Sequence, residues 1–464
     1  MTRSQEQSCG FYPPGPRPRD LNLFQAIRIS LRSPIEGWPR AVYEQPVWEP
    51  PFPGMPIFIM DPALIRAVLV EQADHFPQGA LFQRMLRPVW GRGLLIAEGA
   101  DWRWQRRAAA PAFRPAGLGA LAPRMRAAAE AALARWAAAP GKPVDLVEET
   151  TAITFDIILD ALLSGGEDFD RGAVRGQLSA FMEQIRPLRL SYFLAPDFYH
   201  RYRRAPESAE ARRLRDDVDR MIARRRAAPP RGDLVDLLMT ATDPETGRAM
   251  DDETLRDNLL GFIVAGYGTT ALALAWSLYL VSQHPPTAAR LRAEIETVTG
   301  GDPVGPEHLD RLVFTRQVVN EALRLYPPAH MASRVCARAT RIGDIPVRAG
   351  RRIVVPIYAL HRHRLWWRDP DRFDPDRFAP GESAPDRHLY LPFGAGPRIC
   401  IGATFAMTEL VVTLATLIRA VDLHLAPGHQ VWPVAALVLG PRDGLPMTIT
   451  ARAAQRSRTQ EPVG

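Results

Sequence analysis

The stretch LPFGAGPRICIGATFAMTELVVTLATLIRAV, residues 391–421, sets one cysteine between a glycine-bearing turn and a strongly helical run. A thiolate just before a helix start meets free amides and the positive end of the helix dipole. The sequence therefore predicts a lowered pKa for Cys400. Gly396 reaches backbone angles closed to other residues, and Gly402 lets another group approach the main chain. Arg398, two residues before the cysteine, can hold an anionic group, and Phe393 can shield one side of the sulfur. Zinc fits poorly, because three further ligands are missing nearby. Nucleophilic catalysis wants a paired histidine, and nothing in the sequence orients His388, the nearest one. A lone cysteine beside a helix is ordinarily a core thiol. The full spacing of Phe393, Gly396, Arg398, Cys400 and Gly402 suits instead a single thiolate ligand to a flat, anionic metal cofactor.

The rest of the 464-residue chain is long enough for a large core, with 46% hydrophobic and 23% charged residues. The formal charge is +7, and Lys142 is the only lysine, so arginine carries the basic character. The basic clusters at 201–204 and 224–226 lie among acids, and no zinc-finger or RNA-binding signature accompanies them. A nucleic-acid partner is not expected. Cys9, Cys336 and Cys400 are too few and too scattered for a disulfide framework, which fits a reducing cytoplasm. Residues 1–20 are polar and proline-rich and predict an extended lead-in, with no apolar signal core or anchor.

Helical periodicity dominates, as in residues 117–139 and 287–298, while strand-like runs are short, at 55–60, 351–360 and 446–451. A mainly α protein with small β-sheets is expected. The aromatic run 187–203, broken by prolines, reads equally well as an entry surface for apolar ligands or as a packed connector.

FGAGPRICIG resembles the haem-binding segment of the cytochromes P450, F-x-x-G-x-R-x-C-x-G. Further motifs follow in family order over nearly the whole chain. NEALRLYPP (320–328) is similar to the E-x-x-R helix, with Glu321 and Arg324, and FDPDRF (373–378) adds Arg377 to that cluster. DWRWQRRAAAPAF (101–113) is similar to the W-x-x-x-R helix, with Trp102 and Arg106. The resemblance implies the cytochrome P450 fold as one domain over residues 21–464, with Cys400 as axial ligand to the iron of haem b. Arg106 and Arg398 would hold the propionates through directed, charge-assisted bonds, with Trp102, Arg334 and His361 as further propionate contacts. Glu321, Arg324 and Arg377 would form a structural network.

LLGFIVAGYGTTALALAWSLYLVSQ, residues 259–283, contains no Asp, Glu, Lys or Arg. By length it is a membrane-span candidate. By resemblance it is the interior helix that crosses above the haem, where oxygen is activated. Gly266, Thr269, Thr270 and Ala273 recur at i, i+3, i+4 and i+7, which predicts one small, hydroxylated face. Thr269 can bond back to the carbonyl of Ala265. The family pattern A-G-x-[DE]-T is broken here: Gly268 stands where the acid is expected, beside a retained Thr269. The expected catalytic set is Thr269, Gly266, Gly268 and Thr270, with slow or poorly coupled oxygen activation. Residues 329–333, 78–89 and 262–265 are expected to line the substrate pocket.

The implied activity is insertion of one atom of O2 into an apolar organic substrate. Electrons would come from a ferredoxin or flavodoxin-type donor with its reductase, docked on a basic face, because no such module fits after Cys400. A cytoplasmic, monomeric protein without a transmembrane anchor is expected. A peroxygenase or isomerase on the same fold, or a non-catalytic haem-thiolate sensor, are the alternatives that these residues leave open.

Overall fold

Asp251 caps the longest helix of the chain through a bond from the Thr254 amide at 2.8 Å, and the helix then runs unbroken from Asp252 to Gln283. Its 32 residues span about 48 Å, the width of a large domain. The computed structural model describes residues 21–51, 54–79, 82–83, 86–87, 90–114, 119–162, 170–185, 209–381 and 386–452. The lead-in 1–20 and the aromatic run 187–203 lie outside the described residues.

The helices that build the site are α1 (Gly99–Ala109), α2 (Ala122–Ala138), α3 (Leu146–Leu162), α4 (Ala209–Arg226), α5 (Asp252–Gln283), α6 (Pro285–Thr299), α7 (Val313–Leu325) and α8 (Ala403–Ala420). The strands are β1 (Val47–Trp48), β2 (Ile57–Ile59), β3 (Pro143–Asp145), β4 (Ala332–Val335), β5 (Arg352–Val355), β6 (Val421–Leu425) and β7 (Pro446–Ala451). One sheet has the order β1-β2-β5-β4, with β2 and β5 parallel and the other pairs antiparallel. A second has the order β3-β7-β6. The mainly α architecture with small sheets matches the expectation from periodicity.

Apolar periodicity explains the packing. α5 is buried along most of its length, against α3 on one side and α7 and α8 on others. Trp276 is fully buried and stacks on Tyr326 with ring centroids 4.0 Å apart. α5 and α8 are both long and apolar enough to cross a membrane, yet most of each lies inside the fold. Such all-round apolarity marks an interior helix of a large core.

The helix expected over 117–139 spans Ala122–Ala138, the strand expected over 55–60 spans Ile57–Ile59, and two further boundaries also differ. The run 351–360 is a strand only as far as Val355, because Pro356 offers no amide to a ladder and a short helix, Ile357–Leu360, follows. The helix read through residue 421 ends at Ala420, where Val421 turns extended and opens β6 against β7.

Candidate active site

The cysteine loop is shaped by close backbone contact. Gly396 has φ +71°, and a Cβ there would lie 1.8 Å from the carbonyl oxygen of Leu69. Only glycine permits both the angle and the contact. The Cys400 amide donates to the Phe393 carbonyl at 2.9 Å and closes the loop, which delivers the exposed cysteine at the start of α8. Gly402 sits beside it: a Cβ on that residue would stand 4.0 Å from Cys400 Sγ.

The expected lowering of the Cys400 pKa is reversed. Although Cys400 reaches the surface, the protein packed around its sulfur desolvates the thiolate and pushes the thiol up, against the Gly402 amide and the Arg106 charge, which pull it down. Partial charges at a helix start do not offset that desolvation.

Beside the sulfur lies a cluster of cations. Arg106 comes from α1, Arg334 from β4 and Arg398 from the loop itself. Arg398 stacks over Trp102 with its guanidinium carbon 4.4 Å from the ring centroid. Burial lowers all three arginines, and Arg334 falls to about 10, with Arg398 adding repulsion. Among the described residues, the one carboxylate acting on Arg334 and Arg398 is Glu98, which bonds Arg398 at 2.6 Å. Sequence reading missed Glu98; its position four residues before Trp102 was the available signal. One nitrogen of Arg398, Nη1, is buried without a partner among the described residues. Three guanidiniums against one carboxylate leave room for two more negative charges. A dianionic cofactor with two carboxylates, axially bound by one thiolate, fits that arithmetic.

His361 does not join the cluster. Its Nε2 accepts the Leu391 amide at 2.8 Å and its Nδ1 lies 3.1 Å from the Arg324 carbonyl oxygen. Neither ring nitrogen is left for a propionate, so this expectation is corrected. His361 instead ties α7 to the start of the cysteine loop.

The Glu321–Arg324–Arg377 cluster is present and fully buried at its core. Arg324 grips Glu321 through two bonds, at 2.6 and 2.8 Å, and gives its remaining donors to the carbonyls of His361, Pro370 and Arg372. Arg377 approaches Glu321 at 3.4 Å. Every Arg324 nitrogen is used, which a buried charge requires.

On α5, the faces differ from the expected stripe. Gly266 faces α3, where a Cβ would lie 2.3 Å from Ile158 Cδ1, so it serves helix packing. Thr270 and Ala273 are buried as well. The open face carries Phe262, Ala265, Gly268 and Thr269, which follow one another at helical spacing. Thr269 Oγ1 donates to the Ala265 carbonyl at 2.8 Å. Among the described residues, nothing lies within 4 Å of where a Gly268 Cβ would stand. Of the expected pocket segments, Ala329 and Met331 are exposed with His330 buried between them, and Phe262 packs on Phe113 at 5.5 Å. Part of 78–89 lies outside the described residues.

Comparison with known proteins converges on the same chemistry. The profile of the family described as Cytochrome P450 matches residues 45–445. The chain is 34% identical to cyclooctat-9-en-7-ol 5-monooxygenase of Streptomyces melanosporofaciens, over 79% of this chain and 80% of that protein. It is 34% identical to pentalenene oxygenase of Streptomyces avermitilis, over 84% of this chain and 87% of that protein. Its fold is similar to the crystal structure of a cytochrome P450 (CYP102L1), with TM-score 0.80 and 26% identity, covering 95% of this chain and 99% of that one. The chain belongs to the cytochrome P450 family and is a mono-oxygenase with haem b as its cofactor.

Proposed function

We propose that Cys400 is the axial ligand of the haem iron, that Arg106, Arg334 and Arg398 hold the propionates, and that Trp102 supports Arg398 from below. The observation that carries this reading is the juxtaposition of one exposed cysteine with three guanidiniums and a single acid. The thiolate of Cys400 would make the iron of a bound haem electron-rich, the chemistry that oxygen activation requires. Phe393, Gly396 and Gly402 shape the loop that presents the sulfur.

On the opposite side Thr269 holds the proton path. Its hydroxyl proton is committed to the Ala265 carbonyl, so its oxygen faces the groove as an acceptor. It orients a water there. Gly268 supplies no acid, so protons arrive through water rather than through a carboxyl relay. Gly266 and Thr270 contribute packing.

The substrate is an apolar, terpenoid-type cyclic molecule. The open face of Phe262, Ala265 and Gly268 and the exposed Met331 offer it few polar partners, and the named relatives are an oxygenase of pentalenene and a mono-oxygenase of cyclooctat-9-en-7-ol. Like the family, the enzyme uses O2 and electrons from a redox partner. That donor is of ferredoxin or flavodoxin type with its reductase, attracted to exposed positive charge such as Arg103 of α1. The protein is one domain over 21–464, a monomer of the cytoplasm. Its contiguous core, scattered exposed apolar residues and the free thiols of Cys336 and Cys400 support this. Incubation with a cyclic terpenoid, ferredoxin, ferredoxin reductase and NADPH tests the reading: product that needs both O2 and reductant supports it. Product formed equally well without either contradicts it.

A further inference from the structure

Glu98 occupies a junction. Its Oε2 bonds Arg398 Nη2 at 2.6 Å, and its Oε1 accepts the amide of Gln78 at 3.1 Å. It also stands immediately before α1, the helix that carries Trp102 and Arg106. One carboxylate thus joins three segments: residue 78 at the edge of the expected pocket, the start of α1, and the cysteine loop. Both side chains of the pair are more than half buried, at 30% and 15% exposure. Solvent therefore screens the charge only in part.

We propose that Glu98 is the charge-balancing acid of the propionate cradle, and that it lowers the reduction potential of the bound haem. This rests on the haem-thiolate reading above. Three arginines are met by Glu98 and two propionates, so the loaded cradle is neutral. Remove the Glu98 charge and the cradle carries one net positive charge. A positive charge close to the iron favours the ferrous state over the ferric state, because reduction adds an electron to the centre. The potential then rises. Arg398 keeps its place over Trp102 only while a partner holds its far nitrogen, so Glu98 is also a positioning residue for haem retention.

Two variants separate charge from shape. Glu98→Gln is nearly isosteric and its amide oxygen can still accept from Gln78 or Arg398. Glu98→Ala removes charge and bonds together. Each holoprotein is titrated spectroelectrochemically, and haem loss to an excess of apomyoglobin is timed. The potential of Glu98→Gln is expected to shift upward, with haem loss no faster than in the wild type. Glu98→Ala is expected to shift upward too and to lose haem severalfold faster. An unchanged or lower potential in Glu98→Gln overturns the proposal, whether or not Glu98→Ala folds. A reduced carbon monoxide spectrum of the wild type is recorded first. A wild type without the thiolate-type band would overturn the haem-thiolate reading itself, a failure distinct from that of Glu98.

Discussion

The two sides of the site are built on opposite principles. In the network beneath the cysteine loop, buried charge is fully paired at its centre: each nitrogen of Arg324 has an acceptor and both oxygens of Glu321 are bonded. On the α5 side, the helix has been cleared of charge, so that Ala265, Gly268 and Thr269 present backbone, two methyls and one hydroxyl. The first side must hold a loop in one geometry, which demands over-determined bonding. The second must admit a substrate, oxygen and water, which demands space.

The sharpest way to break this contrast is on the paired side. Arg324→Ala leaves Glu321 in the core with Arg377 at 3.4 Å in place of a two-bonded partner, and is expected to cost about 3–5 kcal/mol. A urea titration of the holoprotein reads it as a lowered midpoint with early haem release. A midpoint within error of the wild type would remove the network from the account.

His361 gives the next largest effect, through pH. Burial holds His361 down to about 3 and His330 down to about 4. Unfolded, each titrates near 6.5. Between these values the unfolded chain binds more protons, so stability is full above about pH 6.5 and is lost as pH falls. The expected slope is about 1.4 kcal/mol per pH unit for each histidine. His361→Gln keeps an acceptor for the Leu391 amide but cannot be protonated, so urea midpoints measured from pH 7 to pH 5 should fall less steeply. An unaltered slope would show that His361 is not held neutral.

On the open side, Gly268→Asp introduces the missing acid where a Cβ meets nothing within 4 Å among the described residues. Peroxide released per product is expected to drop by up to about tenfold, equal to about 1.4 kcal/mol in relative barrier. A tightly coupled wild type with no gain in the variant would contradict water-borne proton delivery as a weakness of this enzyme.

The smallest effect is the most discriminating between faces. Gly268→Ala should stabilise α5 by about 1 kcal/mol, the ordinary helical preference for alanine. Gly266→Ala should destabilise by about 1–3 kcal/mol, because its methyl meets Ile158 at 2.3 Å. Thermal unfolding of the two variants should therefore move in opposite directions, and shifts of one sign would mean that the two glycines share a face.

Local chemistry was legible where sequence spacing alone determines it. The loop Phe393 to Gly402 could be read because turn and helix bring those groups together whatever surrounds them, while the i, i+3 pair Glu321 and Arg324 drew its structural role from the family resemblance. Tertiary partners decided the rest. Which way Gly266 faces depends on Ile158, 108 positions away, and no periodicity of α5 reveals it. His361 looked available until Leu391 claimed its ring. The Cys400 pKa depended on burial, which outweighs the helix end that the sequence does disclose. Glu98 was hidden because its partner, Arg398, lies 300 positions later.

The central claim is that Cys400 is the proximal thiolate of a bound haem. The reduced carbon monoxide difference spectrum of the wild type and of Cys400→His, each confirmed to hold haem, tests it most directly. The account predicts a red-shifted thiolate-type Soret band in the wild type and its replacement by an imidazole-type band in the variant. A thiolate-type band that survives in Cys400→His would contradict it.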